Sequence, residues 1–228
     1  MCGRFALNTS KGALIEWFEL MGLDPDLPGF APRFNIAPTQ DLLSVRHGDH
    51  GRELALLRWG LIPSWAKDNS MAAKMINARA ETVMEKPSFR NAIKKRRCLV
   101  PVTGFYEWER SGTKKKPYLF GFRDGGLFAF AGLWERWHSP EGKDIETCSL
   151  LTTGPNDLMA PIHDRSPVII APENYSRWLD VDANAPDTLT TMLQPFSAER
   201  MTCTRVSERV NNVRNEGPDL VQPISDSL

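Results

Sequence analysis

Apolar positions along this chain fall into many short runs with a period of two, separated by Gly, Pro, Asn and Asp. Only a few stretches carry a helical period. Residues 3–7 read as a short strand leaving the N-terminus. Ser10 is placed to cap a helix through about Met21, with Leu14, Ile15, Phe18 and Met21 on one face and Gly22 as its stop. Pro25 to Pro38 is rich in Pro and Gly and reads as loop. Leu42–Arg46 and Glu53–Arg58 read as strands joined by a turn over Gly48 to Gly51. Trp59 to Asn77 is mostly irregular, and residues 88–96 read as a short helix ending in Lys94-Lys95-Arg96-Arg97. Strands follow at 98–102, 105–109, 117–122 and 127–134, with Arg123-Asp124-Gly125-Gly126 as a hairpin signal between the last two. Further strands are expected at 145–152, 167–171 and 200–207. Helices are expected from Pro172, with Tyr175 and Trp178 on the apolar face, and near 187–194. The polar C-terminal stretch closes with Val221-Gln222-Pro223-Ile224, apolar enough to tuck back onto the body. Many short strands with a few peripheral helices predict one α+β domain over residues 1–228, built around a curved, mostly antiparallel, barrel-like sheet.

Composition narrows the function. The 228 residues are 41% hydrophobic, enough for a single proper core. Lys plus Arg (28) balance Asp plus Glu (28), which argues against extensive phosphate tracking but leaves room for a local basic cleft. The cysteines, Cys2, Cys98, Cys148 and Cys203, are widely spaced and form no C-x-x-C pair. That supports neither a zinc site nor a disulfide framework, so no metal and no cofactor is expected, and free thiols suit a reducing cytoplasm. No apolar run reaches membrane-spanning length and no signal-peptide pattern opens the chain. Nothing resembles an obligate dimer seam, so a monomer is expected.

Position 2 carries the most distinctive chemistry. Removal of Met1 ahead of a small residue would leave Cys2 with a free α-amine beside its own thiol. Their pKa values, roughly 8 and about 8.5, leave a useful neutral amine and thiolate fraction near neutrality. The amine condenses with an aldehyde to an imine, and the thiol closes on that carbon to an unstrained five-membered thiazolidine. The same thiol is also an acyl-transfer nucleophile. The bland alternative is a small side chain buried at the start of a strand.

Four polar segments are further candidates: Asn77-Ala78-Arg79-Ala80-Glu81, Gly104-Phe105-Tyr106-Glu107-Trp108, Ile162-His163-Asp164-Arg165 and Asn211-Asn212-Val213-Arg214. Each has an ordinary reading. Glu107 can face solvent, His163 can be structural, Asp164-Arg165 can be a local ion pair, and Asn77 and Arg79 can close a turn. A carboxyl among Phe105, Tyr106 and Trp108 is desolvated, however, which moves it toward the range useful for proton transfer. His163 titrates in that range without help.

The first three of these segments, with Met1-Cys2-Gly3-Arg4-Phe5, Phe34-Asn35-Ile36-Ala37-Pro38 and Trp59-Gly60-Leu61-Ile62-Pro63-Ser64-Trp65, occur in an order that resembles the SOS response-associated peptidase (SRAP) family, the abasic-site processing proteins. The motifs extend over almost the whole chain. One departure is Ser166-Pro167 after His-Asp-Arg, where the family commonly has Met. The resemblance implies covalent crosslinking of Cys2 to abasic sites in single-stranded DNA, in a cytoplasmic protein associated with the nucleoid if bacterial. It makes Cys2 the nucleophile, Glu107 the acid/base, His163 an aid to proton transfer at the sugar oxygen, and Asn77 the residue that orients the sugar. Arg4 and Arg79 become candidate phosphate clamps, and Trp59, Trp65 and Pro38 stacking or wedging surfaces. A cysteine autopeptidase that removes Met1 uses the same residues. A noncovalent reader of modified single-stranded DNA needs the arginines and aromatics but not Cys2.

Overall fold

The computed structural model describes residues 2–20, 30–111, 114–182 and 186–224. In chain order the regular elements are β1 (Phe5–Leu7), α1 (Lys11–Phe18), β2 (Arg33–Ile36), β3 (Asp41–Gly48), β4 (Gly51–Trp59), β5 (Asn77–Arg79), α2 (Ala92–Lys95), β6 (Arg97–Val102), β7 (Gly104–Ser111), β8 (Lys114–Phe122), β9 (Phe128–His138), β10 (Asp144–Thr153), β11 (Ser166–Pro167), β12 (Ile169–Ile170), α3 (Tyr175–Leu179), α4 (Pro186–Met192) and β13 (Met201–Arg205). Two sheets result. One is five-stranded in the order β13-β8-β7-β1-β2. The other runs β11-β10-β4-β3-β6-β9-β12, and an added β9–β10 pairing closes β10, β4, β3, β6 and β9 into a barrel. The expected α+β fold with a barrel-like, mostly antiparallel sheet is what forms.

The closed ring explains the apolar runs. Strands of a barrel packed on a second sheet are covered on both faces, so β6 and the first half of β9 are buried at every position. Phe5, Phe105 and Phe120 from the five-stranded sheet meet Phe128 and Phe130 from the barrel. Phe105 and Phe120 stack at 5.3 Å, and Phe5 lies edge-on to Phe130 at 5.8 Å. Aromatic pairs in such geometries add to what area burial alone supplies.

β10 makes the barrel's one irregularity. Its edge takes β4 in parallel at Thr147–Cys148, then β5 in parallel from Leu150 to Thr152. Residues 60–76 leave the sheet between these two pairings as a loop. Asn77 therefore lies in a short strand rather than closing a turn.

Several expected boundaries shift. Residues 33–36 were expected as loop but form β2, because β1 offers an open edge to which Ile36 and Arg33 pair. The first helix ends at Phe18, where Glu19 adopts a left-handed conformation (φ 51°) and its N–H bonds back to Glu16; the expected end at Met21 and Gly22 lies outside the described residues. Residues 123–126 make a tight turn with Gly125 at φ +71°, but no hairpin. β8 pairs with β7 and β13, whereas β9 pairs with β6, β10 and β12. The turn carries the chain from one sheet to the other, and stacking of Phe122 on Phe128 at 4.5 Å covers it. Only residues 92–95 of the expected 88–96 helix are helical, and the expected strand at 167–171 is two two-residue pieces.

Arg97, the last of the four basic residues that follow Ile93, opens β6 and points inward. It is 1% exposed. Its guanidinium donates to the carbonyls of Ile93 (2.9 Å), Trp178 (2.5 Å) and Asp180, and lies 5.6 Å from the Trp178 ring. One side chain thus fastens α3 and the end of α2 to the barrel. Arg97→Leu should lower unfolding stability by about 3 kcal/mol, since it orphans carbonyls left buried. Arg97→Lys should lose a large part of the same amount, because an ammonium lacks the planar fork. Urea midpoints of the two variants against wild type check both values.

Candidate active site

Four residues from four parts of the chain converge at the N-terminal end of β1. Cys2 is fully buried. Its carbonyl accepts a 2.9 Å hydrogen bond from Asn77 Nδ2, at the start of β5. Glu107 projects from β7, the strand paired with β1, and is 2% exposed. Burial pushes the Cys2 thiol well above its usual pKa, and the negative charge of Glu107 pushes it further. His163 completes the group, with Nε2 3.9 Å from Glu107 Oε2.

His163 comes from the loop between β10 and β11. Asn156 organises that loop: its Oδ1 accepts from Met159 N–H at 3.0 Å, and its Nδ2 donates to the Phe196 carbonyl at 2.8 Å. The His163 N–H then bonds to the Met159 carbonyl at 2.9 Å. The ring's Nδ1 accepts from the Arg165 backbone N–H at 2.9 Å. A neutral imidazole with Nδ1 as acceptor carries its proton on Nε2, the nitrogen that faces Glu107. On protonation, Asp164, whose Oδ1 lies 3.1 Å from Nδ1, becomes the available acceptor on the other side.

The expected DNA-contact residues divide. Trp65 is 57% exposed and free to stack. Arg79 is exposed on β5, two residues from Asn77, and Pro38 is half-buried at the end of β2. Trp59 is not a surface. It is 1% exposed, packs against Phe5 at 5.3 Å and donates its indole N–H to the Ile76 carbonyl at 2.9 Å. It is a core residue that holds β1 against the barrel. Arg4 is turned inward: its NH1 donates at 2.8 Å to Asn35 Oδ1 and at 2.8 Å to the Val210 carbonyl. Its phosphate-clamp reading is reduced to whatever the rest of the guanidinium can reach.

Residues 1–213 match the family described as SOS response associated peptidase (SRAP). The chain belongs to this family. It is 45% identical over 225 residues to the abasic site processing protein YoqW of Bacillus subtilis, covering 97% of this chain and 99% of that one. It is 31% identical over 232 residues to the abasic site processing protein HMCES of Xenopus tropicalis, covering 88% of this chain and 69% of that one. A crystal structure of a Bacteroides thetaiotaomicron protein superposes with a TM-score of 0.89 at 26% identity, over 98% of this chain and all (100%) of that one. Among the described residues of this SRAP chain, no helix is long and apolar enough to cross a membrane, and no group of three or more His, Cys, Asp or Glu is placed to hold a metal.

Two features around this cluster of the SRAP chain were not visible in the sequence. The first is between motifs. Arg165 does not pair with its neighbour Asp164 but forks onto Glu81 at 2.6 and 2.9 Å and reaches the Thr152 carbonyl at 2.7 Å. This ties the His163 loop to the segment carrying Asn77. Both residues stood inside quoted motifs, but nothing in the spacing says they meet. The second is Asn35, which lies inside a motif and is 1% exposed. Its amide occupies the centre of a network described below.

The Arg165 fork holds the Glu81 carboxyl below its ordinary value of 4.5. A depressed carboxylate stabilises the fold above the unfolded pKa, and that contribution is lost as pH falls through the folded value. Glu81→Gln should therefore unfold at lower urea than wild type at pH 7. The gap should close as pH drops well below 4.5. Because Glu81 is half-exposed, the gap should be modest, under about 1 kcal/mol. Urea titrations across that pH range test the sign.

Proposed function

We propose that this protein captures abasic sites in single-stranded DNA covalently, through the α-amine and thiol of Cys2 once Met1 is removed. The names of its relatives support the substrate. The observation that carries the chemistry is the setting of Cys2: a buried thiol whose pKa Glu107 raises, with His163 beyond that carboxylate and Asn77 on the Cys2 carbonyl.

This setting orders the steps. A thiol held protonated by burial and by a neighbouring negative charge is a poor first nucleophile. The amine therefore attacks C1′ of the ring-opened sugar, forming a carbinolamine. Loss of water gives the imine, with His163 and Glu107 placed to deliver a proton to the departing oxygen. The thiol then adds to the imine carbon. A C–S bond forms as the C=N π pair moves to nitrogen, and the thiol proton passes through Glu107 to that nitrogen. The net reaction is aldehyde plus amine plus thiol giving thiazolidine and one water. Arg79 supplies charge near the nucleophile, and Trp65 a face on which a flanking base stacks.

A second reading concerns maturation. The Cys2 thiol lies on the C-terminal side of the Met1–Cys2 bond, so its attack on the Met1 carbonyl passes through a five-membered ring. Collapse to the thioester breaks the Met1–Cys2 C–N bond and frees the α-amine, and one water then hydrolyses the thioester, releasing free methionine and regenerating the thiol. Glu107 beside the thiol can take its proton as the C–S bond forms, which supports this reading, and the amine so freed leads into the first.

A denaturing-gel time course on abasic single-stranded DNA without reductant tests the main proposal. Wild type should give a heat-stable adduct. Cys2→Ser and Cys2→Ala, each with its amine free, should give only a labile imine that borohydride traps. Glu107→Gln should slow adduct formation by about 10²–10⁴-fold with little loss of noncovalent binding. A heat-stable adduct from Cys2→Ala would move the nucleophile elsewhere, for example to exposed Lys74. Unchanged binding and no adduct from wild type would leave a noncovalent reader. Arg79→Ala should weaken binding and reduce the slope of log affinity against log salt by roughly 0.7.

A further inference from the structure

A nucleophile on the second residue sits where a chain is least constrained, since termini fray unless tied down. Here Gly3 separates it from the rest of the strand, and glycine adds backbone freedom. Two contacts hold the segment close to the nucleophile. Asn77 holds the Cys2 carbonyl, and Arg4 is held through both its main chain and its side chain. Its carbonyl accepts from Tyr106 N–H at 2.9 Å, next to Glu107. Its guanidinium enters the Asn35 network.

That network belongs to the other end of the chain. Asn35 accepts from Arg4 through Oδ1 at 2.8 Å. Through Nδ2 it donates to the carbonyls of Asn215 (2.8 Å), Asn212 (3.1 Å) and Val210 (3.4 Å). The Val210 carbonyl also receives Arg4 NH1 at 2.8 Å. Trp108, the residue after Glu107, donates its indole N–H to Asn211 Oδ1 at 2.6 Å, and its ring lies 5.6 Å from the Arg4 guanidinium. Glu216 accepts from the Phe34 N–H. Beneath these bonds Val210 and Leu220 pack with Ala6, Tyr106 and Val206 as a small second core.

We propose that residues 207–216 form a strap whose function, exerted through Asn35 and Arg4, is to position the N-terminal nucleophile against Glu107. Asn35 and the strap are positioning elements: they act on the site through Arg4 and Trp108. The claim rests on the reading of Cys2 as the nucleophile. Its physical core is that one amide joins residues more than 170 positions apart in sequence and holds the side chain two residues from the reacting group. Displacement of a reacting group by about 1 Å can cost up to about 10²-fold in rate.

Asn35→Asp separates the parts. The carboxylate keeps an acceptor for Arg4 but loses the donor to three strap carbonyls and faces them with negative charge. Amide hydrogen exchange should accelerate together in residues 207–216 and in residues 2–8. The maximal single-turnover adduct rate should fall about 10-fold or more. Affinity for single-stranded DNA carrying a tetrahydrofuran abasic analogue should stay within about two-fold of wild type. Asn211→Ala, at an exposed strap position, should move both readouts in the same direction by a smaller factor, and it serves if Asn35→Asp does not fold. Faster exchange in the strap with no change in residues 2–8 or in rate would overturn the proposal. So would a loss of affinity as large as the loss of rate, which would make the strap a DNA contact. If wild type forms no adduct, the proposed function fails by itself, and joint or separate exchange of the two segments still decides whether the strap positions the N-terminus.

Discussion

The structure depends on where β1 lies. This three-residue strand is not an edge: β7 pairs with one side of it and β2 with the other. Phe5 drives its burial, packed between Trp59 and Phe130 of the barrel. Burying one large aromatic side chain stabilises by about 1.5–3 kcal/mol, and here that anchor stands three positions from Cys2. Cys2 is thereby delivered beside Glu107 of the adjacent strand, beneath the loop that carries His163. An N-terminal residue becomes part of a preformed site because its strand is inside a sheet.

The site's electrostatics follow from the same placement. Burial and Glu107 both oppose ionisation of the Cys2 thiol. In a hydrolase that starts from a thiolate this would be a handicap, since such enzymes place cations or helix N-termini at the sulfur. For an aldehyde trap the order is amine first, thiol second, and a protonated thiol beside a carboxylate is the right ground state for the second step. The neutral tautomer of His163, fixed by the Arg165 N–H, points its proton at the same carboxylate. Arg165 thus contributes twice, through its main chain to His163 and through its side chain to Glu81.

What the sequence made legible was type and rough extent: the α+β class, the short strands, and four candidate residues that the fold brings together. Cys2 stood out by its place beside a terminal amine, Asn77, Glu107 and His163 by interrupting apolar strand ends, and the family resemblance joined them. Pairing was not legible. The 123–126 turn has hairpin residues, yet its strands belong to different sheets, since local turn chemistry fixes the bend and tertiary packing fixes the partner. β2 was hidden because Pro and Gly on its N-terminal side suggested loop, while its strand character is imposed by the open edge of β1. The burial of Trp59 and of Arg97 was hidden for a related reason. Burial of a guanidinium needs partners such as the carbonyls of Ile93, Trp178 and Asp180, and an indole's exposure depends on what crosses it. The Arg165–Glu81 fork and the Asn35 hub join distant segments, and one sequence by itself carries no signal of such contacts.

The central claim is that one residue supplies both nucleophilic atoms of the ring, its nitrogen and its sulfur, and intact mass spectrometry addresses it most directly. The protein is incubated with an abasic single-stranded oligonucleotide without reductant, and the adduct is weighed and then digested. The account predicts a species equal to the Met1-free protein plus the oligonucleotide less one water, with the modification confined to Cys2. An adduct on protein that retains Met1, or one mapping to a lysine such as Lys74, would contradict it.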